Sequence, residues 1–168
     1  MSEQNPYSAP QASLSDVSAA GEIRLGGRGT RLGAVFIDGF IQIPLVLPLM
    51  YAMGYFDGIT RGVKPGFGMM ALASLVGFVT FLVVQGYPLA TTGQTWGKKW
   101  LNLKIVDLDG RKPEFVRLVG LRYATTQLAM LIPVLGNIYA LVDTLFIFRE
   151  DKRCLHDHIA GTRVVVAD

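Results

Sequence analysis

Four polar side chains in this sequence lie where a membrane would make them expensive. Asp38 stands within an apolar run from Gly33 to Met53, where a carboxylate costs several kcal/mol unless it is paired or protonated. Gln85 lies five residues before Ala90, Arg122 five past Arg117, and Asp143 six before Arg149. If the flanking charged segments mark one membrane face, helix rise places all four about 8–9 Å below it. Two acids, one base and an amide at one depth can satisfy each other, with one carboxylate in excess. Such a carboxylate tends to hold a proton or a cation. The residues Asp38, Arg122, Asp143 and Gln85 therefore form a candidate transport or ion site. Asp38 would be the carrier and Arg122 its counter-charge, within ion-pair reach. A static network that only fixes helix register explains the same residues.

Other chemical patterns fall short. Gly93 to Lys99 (GQTWGKK) approaches a phosphate loop, but only three residues separate its glycines and Lys99 stands where Ser or Thr is needed. It also precedes a strand pattern instead of following one, so no nucleotide cofactor is expected. Cys154, His156, Asp157 and His158 crowd into one short stretch. A structural zinc site draws its ligands from two separated pairs, so hydrogen bonding and capping are expected there and no metal. No Ser, His and Asp set stands out, and the chain reads as a non-enzyme.

The elements that must position these residues follow from composition. The 168 residues are 51% hydrophobic and 17% charged, with a mean hydropathy of +0.37. The net charge of +3 invites a nucleic-acid reading. The basic residues instead flank apolar spans, as topology signals do, so membrane lipid and not nucleic acid is the expected surroundings. Residues 1–28 read as a polar, disordered tail without the basic and apolar regions of a cleavable signal. Residues 29–168 form the membrane domain. Gly33 to Met53 is a first full transmembrane helix, with Pro44 and Pro48 able to bend it. Gly66 to Ala90 is a second. Leu118 to Phe148 as one helix would be about 45 Å long, too long without strong tilt. Pro133, Gly136 and Asn137 supply a break, so a helical hairpin of two short spans is preferred. That hairpin returns the basic C-terminal segment to the side of Arg24, Arg28 and Arg31, placing both termini in the cytoplasm. Leu101 to Val106 alternates like a strand and Thr162 to Val166 is β-rich. The two are expected to pair as an antiparallel hairpin or sheet beneath the membrane. The fold class is thus an all-α membrane protein with a small cytoplasmic β element. A transporter of this size is expected to form a homo-oligomer.

Taken together, Arg31-Leu32-Gly33-Ala34 with Asp38, then TTGQTWGKKWLNLKIVDLDG, then Arg122, then LHDHIAGTRVVV resemble the RDD family of small bacterial membrane proteins. The resemblance covers about Gly29 to Val166. It places the family's arginine on Arg31 and its first aspartate on Asp38. The second falls on Asp157 by the LHD string, beside His156, with Asp143 as the rival from the buried layer. The glycine-lysine block is Gly97-Lys98, preceded here by Trp96 instead of a small residue or proline. The resemblance implies a multi-pass protein of the bacterial cytoplasmic membrane. It also implies transport, with exchange of a cation or proton attributed to some members. A non-transporting interaction or scaffold protein is the alternative.

Overall fold

The computed structural model describes residues 23–167. Most of the expected N-terminal tail lies outside these residues. Its last part does not: Leu25 forms a bridge with Val165, flanked by bonds from Gly26 N to Val164 O (3.1 Å) and from Val166 N to Arg24 O (2.8 Å). Ordered pairing thus begins before residue 29.

Helix α1 runs Arg28–Ala52 and α2 runs Phe67–Thr92. Both are long and apolar enough to cross a bilayer, with mean hydropathies of 1.9 and 2.3 over their most apolar stretches. Only 6% of each stretch is buried within the chain, which separates them from the core helices of a soluble fold. α1 stays helical through Pro44 and Pro48. The two helices are antiparallel: Gln42 donates to Gly77 O (3.0 Å), and Gln85 donates to Asp38 Oδ1 (2.9 Å).

α2 ends where Gly93 turns left-handed at φ 69°, a conformation that glycine adopts without steric cost. A short helix α3, Trp96–Trp100, follows immediately. Thr95 caps it by accepting from Lys98 N (3.3 Å). The expected strand therefore starts later than Leu101: the chain is still leaving α3 there, and Asn102 takes a positive φ of 50°. Strand β1, Leu103–Asp107, then pairs antiparallel with β2, Thr162–Val166, with Ile105 opposite Val164. The expected pairing of these two stretches is present.

From Phe115 to Met130 the backbone is continuously helical: α4 (Phe115–Arg117), a π-helical segment (Leu118–Ala124) that carries Arg122, and α5 (Thr125–Met130). The helix breaks at Leu131 and Ile132, and α6 (Pro133–Phe146) starts with Pro133 in its first turn. Thr126 Oγ1 meets Tyr139 Oη at 3.2 Å. In one continuous helix those residues would lie about 20 Å apart, so the chain reverses here. The reversal is the expected hairpin, and Gly136 fits it because a Cβ there would press to 2.9 Å from the Met130 Cα. Helix α7, Leu155–Ala160, leads into β2.

The buried apolar core sits at one end of the helices, not between them. It comprises Ala34, Leu89, Leu103, Ile105, Leu118 and Val164, with Phe81, Phe115 and Tyr123 against it. Residues from α1, α2, both strands and the π segment meet there, which ties the small sheet to the ends of the long helices.

One contact in this junction is unusually close. A Cβ on Gly97 would collide with the carbonyl oxygen of Ala34 in α1 and press to 2.9 Å from Asp38 Oδ1. Gly97→Ala should therefore push α3 off α1 and cost about 1–3 kcal/mol, as overpacking of a tight contact does. Gly68, where a Cβ would meet nothing within 4 Å, is the control. Thermal unfolding in detergent should show a lowered midpoint for Gly97→Ala and none for Gly68→Ala.

Candidate functional site

The charged residues expected to form one layer divide into two clusters. The first joins α1, α2 and α3. Asp38 Oδ1 accepts from Gly97 N (2.8 Å) and from Gln85 Nε2 (2.9 Å). The carbonyl oxygen of the Gln85 side chain accepts from Trp96 N (2.8 Å), and Gln85 is fully buried. Asp38 and Gln85 thus bind the N–H groups at the start of α3, which no helical turn precedes. The second part of the GQTWGKK segment is a docking helix, and its glycine permits the approach.

The second cluster centres on Asp157, whose residue is fully buried. Asp157 is the third residue of α7 and accepts from Cys154 N through Oδ2 (3.2 Å), as in a capping box. Its Oδ1 pairs with Arg122 Nη1 and accepts from Thr162 Oγ1 (3.2 Å). Thr162 in turn accepts from Arg122 Nη1 (2.8 Å). Arg31 Nη1 lies 3.5 Å from Asp157 Oδ2, while the same guanidinium donates to Lys152 O (2.6 Å) and Val164 O (2.8 Å). One carboxylate therefore draws together α1, the π segment, α7 and β2. The charge pair expected between Asp38 and Arg122 is replaced: among the described residues Arg122 pairs with Asp157. Helix rise sets depth but not the direction in which a side chain points, and the segment after Arg149 returns to supply a nearer acid.

Asp143, on α6, accepts from the backbone N of His156 (2.8 Å) and faces its Nδ1 at 2.8 Å. His156 Nε2 lies 3.9 Å from Asp157 Oδ2, so the imidazole stands between two carboxylates. Burial, followed by the nearby Arg122 charge, holds the imidazole below its ordinary pKa. The Asp157 carboxyl is opposed by burial, but Arg122, His156 and Arg31 overcome that and lower it to about 2. The Cys154 thiol is pushed up to about 11 by burial and by Asp157 and Asp143, which leaves it unreactive. Asp143, Cys154 and His156 each present one donor atom within 4.8 Å of the others, a set that could coordinate a cation. Arg122 and Arg31 beside it oppose a dication there. Lys98 is 8% exposed.

A cavity of about 620 Å³ opens between α1, α2 and the hairpin. Its walls include Gly39, Gln42, Phe78, Phe81 and Gln127, and it reaches Arg122, Asp143 and His156. Asp143 and His156 stand out separately in the sequence, thirteen positions apart, and nothing in that spacing shows that they meet.

The Asp157 cluster predicts a definite pH dependence. Its folded-state pKa of about 2 lies below the ordinary 3.8, so its stabilising contribution is complete above pH 4. That contribution disappears as the pH falls from about 4 to about 2. Unfolding temperatures should drop through that window in the native chain, and the drop should shrink in Asp157→Asn. At neutral pH Asp157→Asn should itself cost about 3–5 kcal/mol, because it leaves Arg122 buried without its counter-charge.

The sequence profile of the RDD family matches residues 25–161. An uncharacterised protein of Haemophilus influenzae is 33% identical over 103 residues, 60% of this chain and 62% of that protein. The chain thus spans less than two thirds of that relative. The uncharacterised protein YckC of Bacillus subtilis is 33% identical over 143 residues, 82% of each chain. No solved structure matches. With two membrane-capable helices and this similarity, the chain is a membrane protein and belongs to the RDD family.

Proposed function

We propose that the protein is a multi-pass transporter of the bacterial cytoplasmic membrane that exchanges a proton against a small cation, and is not an enzyme. The observation that carries this reading is the cavity between α1, α2 and the hairpin, which ends on the Asp143–His156 pair. A carboxylate and an imidazole in direct contact can pass one proton between bound and released forms, and intramembrane acids with such partners commonly mark ion paths. In this reading Asp143 and His156 carry the proton, and Arg122 is the fixed charge beside them. Asp38 and Gln85 hold α3 in place instead of carrying the ion. The hairpin supplies two short spans, so that both termini face the cytoplasm. The grouping of basic segments supports that orientation: the start of α1, the α3–β1 region and the segment before α7 all meet at the sheet end. One chain provides few walls for a path, and a homo-oligomer would complete it.

The Arg31–Asp157–Arg122 cluster favours a second reading, in which the buried charges serve only to fix packing and the protein is a membrane scaffold. Purified protein in liposomes carrying a pH-sensitive dye separates the two. Cation pulses should move protons in the native protein, Asp143→Asn should remove most of the exchange, and Asp38→Asn should retain it if folded. A native protein that moves no protons under any cation pulse would leave the scaffold reading.

A further inference from the structure

A second cavity, of about 490 Å³, is lined by the first turns of α1, the end of α6 and residues of α7. It is lined by four cationic side chains, Arg28, Arg31, Lys98 and Arg122, against two carboxylates, Asp143 and Asp157. Positive charge is therefore in excess. Arg122 and Asp157 neutralise each other, and Arg28 spends its guanidinium on the carbonyl oxygens of Ile147 (3.0 Å) and Phe148 (3.3 Å). Carbonyl bonds leave that charge unneutralised. Lys98 is more than nine-tenths buried, and its ammonium has no partner among the described residues. Arg31 Nε is also buried without an acceptor. A buried guanidinium N–H without an acceptor, with an unneutralised ammonium on the same cavity wall, calls for an anion.

The rest of the wall says what kind. Leu32, Val35 and Phe148 line the same cavity and are 57%, 60% and 65% exposed. A free inorganic anion would leave that apolar surface unused. A ligand with a phosphate at one end and a hydrocarbon chain at the other fits both parts. The cavity also sits at the helix end that carries the basic segments, where headgroups lie in the proposed orientation. We propose that this cavity seats the headgroup phosphate of an anionic phospholipid against Lys98, Arg31 and Arg28, with an acyl chain along Leu32, Val35 and Phe148. The assignment does not rest on the transport reading.

Full-length protein in mild detergent can be titrated with phosphatidylglycerol, phosphatidylcholine or inorganic phosphate. Native mass spectrometry then counts bound lipid, and thermal unfolding reports stabilisation. Phosphatidylglycerol should bind in preference to phosphatidylcholine and raise the unfolding midpoint, and inorganic phosphate should not reproduce that rise. Lys98→Met should weaken phosphatidylglycerol binding by about fivefold, the effect of one basic side chain near an anionic headgroup. Should Lys98→Met fail to fold, Arg28→Gln, at an exposed position, is expected to give a loss in the same range. Equal binding of the two lipids, full stabilisation by phosphate alone, or unchanged phosphatidylglycerol binding in whichever variants fold would each overturn the assignment.

Discussion

The buried carboxylate of Asp157 is the interaction on which the rest of this fold depends. It starts α7 by accepting from Cys154 N, and it neutralises Arg122 from the π segment. It also lies within ion-pair distance of Arg31 in the second turn of α1. Arg31 extends the network to Val164 of β2, and Thr162 closes it from the start of that strand. Two arginines and one aspartate leave a charge in excess, and the carbonyls of Lys152 and Val164 accept from Nη1 and Nη2 of Arg31, while its Nε stays without an acceptor. Charge at the end of a bundle is tolerable on these terms, because nearly every donor has an acceptor. The apolar core directly beside it, from Ala34 to Val164, keeps water out.

The π-helical stretch around Arg122 belongs to the same arrangement. A wider turn leaves room for a side chain that must point at α7 while the helix continues into the hairpin, and π segments recur at functional positions. Arg122 then borders both cavities, one between the long helices and one beside α1. Asp143 and His156 border both as well. The wall between an apolar, bundle-facing space and a more basic one is thus made of these three residues together with Tyr123. By contrast, Asp38 serves the junction of α1 with α3, where Gly97 lets the backbones approach.

Much of this was legible in the sequence. Two apolar stretches of spanning length, the break at Pro133 and the pairing of the two β-rich stretches follow from hydropathy, proline chemistry and alternation, all of which are local signals. The residues Asp38, Gln85, Arg122 and Asp143 were recognisable as exceptional because each sits in an apolar run. Their partners were not. Rise along a helix gives depth, whereas the direction a side chain faces depends on how helices rotate against each other, and no local pattern encodes that. So Asp38 and Gln85 found each other, while Arg122 went to Asp157. The helix α3 was also hidden, since five residues carry too little periodicity to be read. It exists because Thr95 caps it and because Asp38 and Gln85 hold its first N–H groups.

Arg122 is held by Asp157 and not by Asp38. Two double-mutant cycles, measured by reversible unfolding in detergent, compare the pairs directly: Asp157→Asn with Arg122→Gln, and Asp38→Asn with Arg122→Gln. Contacting residues couple by about 0.5–3 kcal/mol, while separated residues add to within about 0.3–0.5 kcal/mol. The structure predicts coupling in the first range for Asp157 with Arg122 and additivity for Asp38 with Arg122. Additivity in the first cycle, or strong coupling in the second, would contradict the arrangement described.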